Sequence, residues 1–503
     1  MFRKSALGFG LLLALLPAKG AEAEPPMNVL LIYADDLGYG DLTCYQPDSK
    51  IPTPALDRLA AEGLRFTDAH SSSGVCTPSR YAMLTGRHHW RDFHWIDTGF
   101  DKPFFKPGQL TLQAMLQKEG YSTACIGKWH LGWNWDSIRK PGAAKNAKTH
   151  DAFDWSKPFR GGPLDQGFDH YFGDNVINFP PYTWIEDDRV LAAPDMTFKK
   201  TPQATKEGNW ECREGPGRSD WDFYQVLPEL TRKGVDYLRS RKNESQPFFL
   251  YFALPSPHAP IIPNDEFDGR SKAGAYGDFV VQTDDVCGRL LDTLKETGLD
   301  QRTIVIFSAD NGPEIYAYPR DQKYDHWSAA PLRGLKRDIY EGGHRVPTMI
   351  RWPGVTRAGE VSDALFAQID LMATLASYLD FQLPDDSAED SHDFLPYLRG
   401  ETPQGPRTTM VHNTFKDQYA IRDGDWVLIH AKSGASRPEP AAWLKKHRVP
   451  TDGQTPVALY NLREDLGQRH NLADKHPDIV TRLSSLLKKI RNQGHSAPRL
   501  ASP

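Results

Sequence analysis

Three stretches of this chain repeat one pattern, a continuous apolar run that ends abruptly in a polar turn. Asn28 to Tyr33 leads to Asp35-Asp36, Phe248 to Leu254 leads to Pro255-Ser256-Pro257-His258-Ala259-Pro260, and Arg302 to Ser308 leads to Asp310-Asn311-Gly312. Runs that are apolar without alternation suit strands buried on both faces, as in parallel sheets sandwiched between helices. Tyr121 to Ile126, reached through the amphipathic Leu110 to Glu119, fits the same scheme and exits into Gly127-Lys128-Trp129-His130-Leu131-Gly132. Pro54 to Gly63, Asp222 to Ser240, Tyr276 to Thr297 and Val361 to Leu379 read as covering helices. Ligands of open α/β sheets gather beyond the carboxyl ends of the strands. Asp35, Asp36, Lys128, His130, His258, Asp310 and Asn311 are therefore expected at one end of one sheet.

The residue types at those turns restrict the chemistry. Asp35, Asp36, Asp310 and Asn311 offer only hard oxygen donors, which favours Ca²⁺ or Mg²⁺ over zinc. Taken singly, an Asp pair after a strand reads equally as a turn or a helix cap. Cys76-Thr77-Pro78-Ser79-Arg80 precedes Leu84-Thr85-Gly86-Arg87. A helix opening near Ser79 would aim its N-terminal amides at an anion, with Arg80 one turn from Cys76. The competing reading of Arg80 and Arg87 is structural pairing with carboxylates. Lys128 and His130 are two apart, so in extended backbone they point the same way, one a fixed charge and one a proton carrier. The prolines around His258 stiffen its loop.

Outside those turns the chain is less regular. Residues 1–23 read as a secretory leader, with Arg3 and Lys4 before the apolar Leu7 to Leu16 and small residues at Ala21 and Ala23. That run is shorter than the roughly 20 apolar residues of a membrane span, so no stable membrane anchor is expected. The net charge of -5 becomes -7 once Arg3, Lys4, Lys19 and Glu22 are removed, which gives no global attraction to nucleic acid. Cys44, Cys76, Cys125, Cys212 and Cys287 are too scattered for a disulfide framework, although one or two bridges are open. Residues 135–220 hold Trp155, Phe159, Tyr171, Phe172, Tyr182 and Trp184 in a long insertion expected to form a recognition surface on which aromatics stack against a sugar. The cluster His88, His89, Trp90, Arg91, His94 and Trp95 suits a sugar-binding rim or a structural core equally. Asp325, His326 and Trp327 are placed near a leaving group.

After the acidic, proline-punctuated Gln382 to Asp393, strands are expected at Met410 to His412, Gln418 to Arg422 and Trp426 to Ile429. Asp423-Gly424 would turn the last two, Tyr460-Asn461-Leu462 would be turn-rich, and Pro477 to Arg491 a closing helix. This divides the chain into a catalytic domain at 24–380 and an α+β subdomain at 381–503.

Taken together, Cys76-Thr77-Pro78-Ser79-Arg80, the two acidic pairs, Gly127-Lys128-Trp129-His130, Leu332-Arg333-Gly334-Leu335-Lys336 and Glu341-Gly342-Gly343-His344-Arg345-Val346-Pro347 resemble the type I sulfatase family across about residues 27–355. The resemblance implies an alkaline phosphatase-like α/β fold, with a large mixed sheet flanked by helices and a smaller C-terminal antiparallel sheet with a packed helix. It further implies that Cys76 is converted to formylglycine by a maturation enzyme, and that its hydrate attacks the sulfur of a sulfate ester. A divalent ion, calcium ahead of magnesium, would lie among Asp35, Asp36, Asp310, Asn311 and residue 76. Arg80 and Lys128 would stabilise charge, His130 would polarise the hydrate, and His258 and Lys336 would hold the sulfate and assist the leaving oxygen. Arg345 reads as structural support. The expected product is a secreted or periplasmic enzyme acting from the end of a sulfated sugar, with galactose or N-acetylgalactosamine sulfate suggested. A phosphomonoester or phosphonate hydrolase on the same scaffold, and a secreted glycan-binding protein without turnover, are the competing readings.

Overall fold

The computed structural model describes residues 26–498 except 204, 209, 415 and 452–454, with backbone alone at 201–203 and 210–212. The leader predicted at 1–23 lies outside the described residues. At the centre is a ten-stranded mixed sheet. Asn28–Ala34 lies in its middle, parallel to Thr303–Ala309 on one side and to Phe248–Ala253 on the other. Beyond Phe248–Ala253 come Ser122–Gly127 and His170–Gly173, both parallel, and then the short antiparallel Ile185–Glu186 and Arg189–Val190. On the other flank Thr348–Arg351 and Leu64–Phe66 follow, with Glu360–Ser362 at the edge.

The unbroken apolar runs have a direct explanation in the core. Val29, Leu31, Tyr33, Phe249, Tyr251, Ile304 and Ile306 pack on one face, under the helices Cys76–Thr85, Leu112–Lys118 and Asp370–Tyr378. Their alternating neighbours Leu30, Ile32, Leu250, Phe252, Val305 and Phe307 pack on the other, under Pro54–Glu62, Val226–Ser240 and Gly274–Thr297. With both faces covered by helices, the period-two alternation of a half-exposed strand has nothing to act on.

Four antiparallel strands form the C-terminal sheet, in the order Thr409–Asn413, Tyr419–Asp423, Trp426–Ile429 and Ala458–Asn461. The fourth corrects the expected turn-rich reading of Tyr460 to Leu462, because Leu459 and Tyr460 are buried on opposite faces of the sheet. Leu483, Leu487 and Ile490 of helix Pro477–Asn492 cover one face, while Ile339 and Tyr340 cover the other. A second correction falls at Val361 to Leu379. The helix begins only at Asp370, and the earlier part supplies Glu360–Ser362 and Phe366–Ala367, whose pairing with Leu64–Phe66 and Ala69–His70 satisfies their backbone. Among the described residues no helix is long and apolar enough to cross a membrane. Cys44, Cys76, Cys125 and Cys287 are free thiols.

Candidate active site

Backbone hydrogen bonds continue the sheet past its strand ends and so bring the polar turns side by side. Asp310 N donates to Ala34 O at 3.0 Å, Asp35 N to Ser256 O at 3.1 Å, and Lys128 N to Ala253 O at 2.8 Å. Cys76 opens the helix Cys76–Thr85 above them, in its first turn and not before it as expected, with extended Val75 as the cap residue. Thr77 Oγ1 donates to His130 O at 3.0 Å, which ties that helix to the lysine-histidine loop.

An oxygen of Asp35, an oxygen of Asp310 and the Cys76 sulfur all lie within 4.8 Å of one another. Arg80 is fully buried and donates through Nε and Nη2 to Asp310 Oδ2 at 3.0 and 2.8 Å, and through Nη1 to Tyr251 Oη at 3.1 Å. Lys128 Nζ donates to Asp35 Oδ2. Lys336 Nζ reaches Asp36 Oδ1 at 2.7 Å and Oδ2 at 2.9 Å, and His258 Nε2 sits 3.7 Å from Asp36 Oδ2. Asn311 Nδ2 donates to Asp36 Oδ1 at 2.8 Å, which fixes its amide and turns the carbonyl oxygen the other way.

The donor set fits a hard divalent cation. Asp35 Oδ1 and Asn311 Oδ1 are buried and have no hydrogen-bond partner, a costly state that a coordinated ion relieves. Burial and the Asp35 charge push the Asp310 carboxyl well above the usual range. Burial works the same way on Asp35, but Lys128, His258 and Arg80 together outweigh it and hold Asp35 below that range. Three carboxylates face three permanent cations here, Asp35, Asp36 and Asp310 against Arg80, Lys128 and Lys336. A dication bound here, with Asp310 ionised against it, leaves surplus positive charge for an anionic ester.

Cys76, His130, His258 and Lys336 line one cleft of about 580 Å³. Burial and Lys128 lower His130 to about 3. Burial and Lys336 lower His258 to about 4. Both imidazoles are neutral near pH 7. His130 Nε2 donates to Asp97 O at 3.1 Å, and its buried Nδ1 has no partner. Extended geometry at Lys128 to His130 is not observed, because His130 has φ 55°. Lys128 instead runs beneath the cleft to Asp35, while His130 stands in the wall beside Phe179, ring centroids 5.3 Å apart.

The insertion does reach the cleft, but through residues other than those singled out. Asn178, Phe179, Arg213 and Glu214 line it, whereas Phe159, Tyr171, Phe172 and Tyr182 are buried core. The expected placement of Asp325, His326 and Trp327 at a leaving group is also corrected. Asp325 pairs with Lys446, His326 with Asp41, and Trp327 Nε1 donates to Leu332 O, all away from the cleft. His88, His89 and Arg91 are structural, bound to Ser72, Asn413 and Asp390. Arg87 is held by Asp92 and Glu389, and Arg345 by Thr67 O, Asp68 and Glu341, as their structural readings required.

Residues that sequence reasoning missed include Tyr251, Asp97 and the Glu314–Arg337 pair. Asp97 Oδ1 accepts from Gly99 N at 2.7 Å and Oδ2 from Gly132 N at 3.2 Å, bracing the His130 loop. Arg337 has φ 78°, a region L-residues rarely adopt, and its side chain binds Glu314 at 2.7 Å on the cleft wall. Only Arg337 carried a sequence signal, its place directly after Lys336.

The fold and this site define a hydrolase of anionic esters on an alkaline phosphatase-like sheet. The family profile described as "Sulfatase" matches residues 27–381, and the chain belongs to that family, as a type I sulfatase. It is 30% identical to an N-acetylgalactosamine-6-O-sulfatase from Bacteroides thetaiotaomicron, over 94% of each chain. It is 33% identical to arylsulfatase A from Bos taurus, over 95% of this chain and 89% of that one. Among solved structures, one from work on the metabolism of multiple glycosaminoglycans by Bacteroides thetaiotaomicron superposes with a TM-score of 0.78 at 30% identity, covering 93% of this chain and 100% of that one.

Proposed function

We propose that this sulfatase is exported and acts from the end of a sulfated carbohydrate, releasing sulfate from N-acetylgalactosamine or galactose. The observation that carries the reading is the meeting of Cys76, Asp35 and Asp310 within 4.8 Å at the floor of a cleft walled by His130, His258 and Lys336. The sugar follows from the relative named an N-acetylgalactosamine-6-O-sulfatase and the glycosaminoglycan context of the superposed structure. Residue 76 serves as formylglycine, formed by a formylglycine-generating or sulfatase-maturating enzyme, and supplies a hydrated aldehyde as nucleophile. Asp35, Asp36, Asp310 and Asn311 hold Ca²⁺, with Mg²⁺ the poorer occupant, and the ion contributes Lewis-acid charge beside residue 76.

In this assignment Arg80 and Lys128 orient the carboxylates and set the positive field. Lys336 and His258 bind the sulfate oxygens, and His258 or His130, both neutral near pH 7, moves a proton at the leaving oxygen or at residue 76. Residues 24–380 form the catalytic domain. Residues 381–503 form the subdomain that adds Arg437 to the cleft wall. Export to the periplasm or medium rests on the leader pattern, and neither nucleic acid nor a stable membrane anchor enters the scheme.

Paired assays with a sulfate ester and the matching phosphate ester, on protein whose residue 76 is converted, test this. Sulfate release should exceed phosphate release by orders of magnitude. The reverse preference would reassign the chain as a phosphohydrolase, and binding without release would make it a glycan-binding protein. In a panel of defined sulfated sugars, turnover is expected at terminal 6-sulfated N-acetylgalactosamine or galactose. Activity confined to internal units would contradict the terminal mode.

A further inference from the structure

A second cluster of polar side chains is fully buried. His70 belongs to the short strand Ala69–His70, His344 to the turn Glu341–His344, and His412 to the strand Thr409–Asn413 of the C-terminal sheet. They are 0%, 1% and 1% exposed, and one ring nitrogen of each lies within 4.8 Å of the other two. The reaction uses none of them.

Proton accounting leaves this cluster short of a partner. His344 Nε2 faces Ile339 O at 3.2 Å, and a carbonyl only accepts, so the nitrogen donates. His70 Nε2 faces Asp68 Oδ1 at 2.8 Å. It also lies 3.3 Å from Arg422 Nη1, but the shorter contact to an acceptor-only carboxylate places the proton on Nε2. With a proton on each Nε2, the two Nδ1 atoms face each other at 3.1 Å. His412 adds two more ring nitrogens that are buried and have no partner. Asp68 and Glu341 each pair with both Arg345 and Arg422.

We propose that His70, His344 and His412 form a structural site for a zinc-class transition-metal ion that pins the C-terminal sheet to the catalytic domain. The 3.1 Å between the two Nδ1 atoms compares with about 3.3 Å for two nitrogens at 2.0–2.1 Å from a tetrahedral zinc. The His70 ring centroid lies 5.3 Å from that of His344 and 5.1 Å from that of His412, spacings that suit rings sharing an ion. The Asp68 carboxylate and Ile339 carbonyl on the far nitrogens are the outer partners that orient ligating imidazoles. Three neutral imidazoles select zinc, cobalt or copper over calcium. The His412 ring lies nearly parallel to His344, centroids 3.7 Å apart, and ligation requires it to turn about its χ2 bond to present a nitrogen. Because the cluster is sealed, loading accompanies folding.

Protein produced in medium supplemented with Zn²⁺ or Co²⁺, then purified in excess Ca²⁺ so that the oxygen-lined site is occupied, gives the test. About one zinc per chain is expected, and the cobalt form should show the visible absorption of an imidazole-ligated site. His412→Phe, which keeps the ring and removes its nitrogens, should lower retained metal by at least about tenfold, with calcium content unchanged. Should that variant fail to fold, X-ray absorption on the wild-type zinc protein decides, a nitrogen shell supporting the site and an oxygen-only shell overturning it. Absence of zinc and cobalt from the folded wild-type protein, equal retention by His412→Phe, or a low-field proton shared between His70 and His344 would each overturn it.

Discussion

The two buried polar clusters make an instructive pair. At the strand ends, Asp35, Asp36, Asp310 and Asn311 are buried oxygen donors set among Arg80, Lys128 and Lys336, next to Cys76, His258 and Lys336, which line an open cleft. Elsewhere in the fold, His70, His344 and His412 are fully buried nitrogen donors from three separate elements. Both lie in low dielectric, where unpaired polar atoms are costly. They differ in what can satisfy them. Oxygen donors with permanent cations alongside leave room for a hard ion and an anionic substrate, whereas neutral imidazoles behind a closed interface suit a softer ion with no exchange. Accessibility separates the chemistry of the first from the structural role of the second.

The largest effect expected concerns the open cluster. Under the proposed mechanism Cys76→Ala removes the precursor of the nucleophile and should lower sulfatase kcat by at least about 10³-fold, with the circular dichroism spectrum and melting curve unchanged. Next, Asp310→Asn or Asp35→Asn should lower kcat/KM by about 10²–10³-fold together with Ca²⁺ affinity measured by calorimetry. A loss of activity with calcium binding intact would assign these carboxylates to another role.

A smaller effect concerns a buried carboxyl outside both clusters. Asp174 is buried, both its oxygens lack partners, and burial raises its carboxyl to about 7. Its folded pKa exceeds the unfolded one, so the folded state binds the extra proton. Wild-type stability therefore falls as pH rises from about 4 to 7 and levels off above. Asp174→Asn should be neutral near pH 4 and gain on the order of 2–4 kcal/mol at pH 8 by urea unfolding. A gain of equal size at pH 4 would place the effect in packing. The smallest effect is expected for Asp325→Asn, which breaks only an exposed pair with Lys446. It should change kcat/KM by less than about twofold and stability by under about 1 kcal/mol, while a large loss would restore Asp325 to the leaving-group end.

The sheet and its polar exits were legible because their signal is local. Apolar runs ending in Asp35-Asp36, His258 and Asp310-Asn311 state both the burial and the chemistry within a few residues. Cys76, Arg80, Lys128 and Lys336 came through motifs of similar length. The conformation of His130, with φ 55°, was hidden because a positive φ at a non-glycine residue leaves no mark in composition. The aromatic insertion misled for a related reason. Tyr171 and Phe172 belong to a strand of the large sheet, and long aromatic segments look alike whether they fill a core or line a cleft. The histidine cluster was illegible for want of any local pattern, since His70, His344 and His412 meet only through tertiary packing.

The central claim is that oxidised residue 76, held beside the oxygen-lined metal site, carries the hydrolysis. Mass spectrometry of the peptide containing residue 76, across preparations with graded exposure to a maturation enzyme, paired with sulfate release from 6-sulfated N-acetylgalactosamine, tests it most directly. The rate should rise in proportion to the fraction converted to formylglycine and approach zero with the thiol intact. Full turnover by protein whose Cys76 remains a thiol would contradict it.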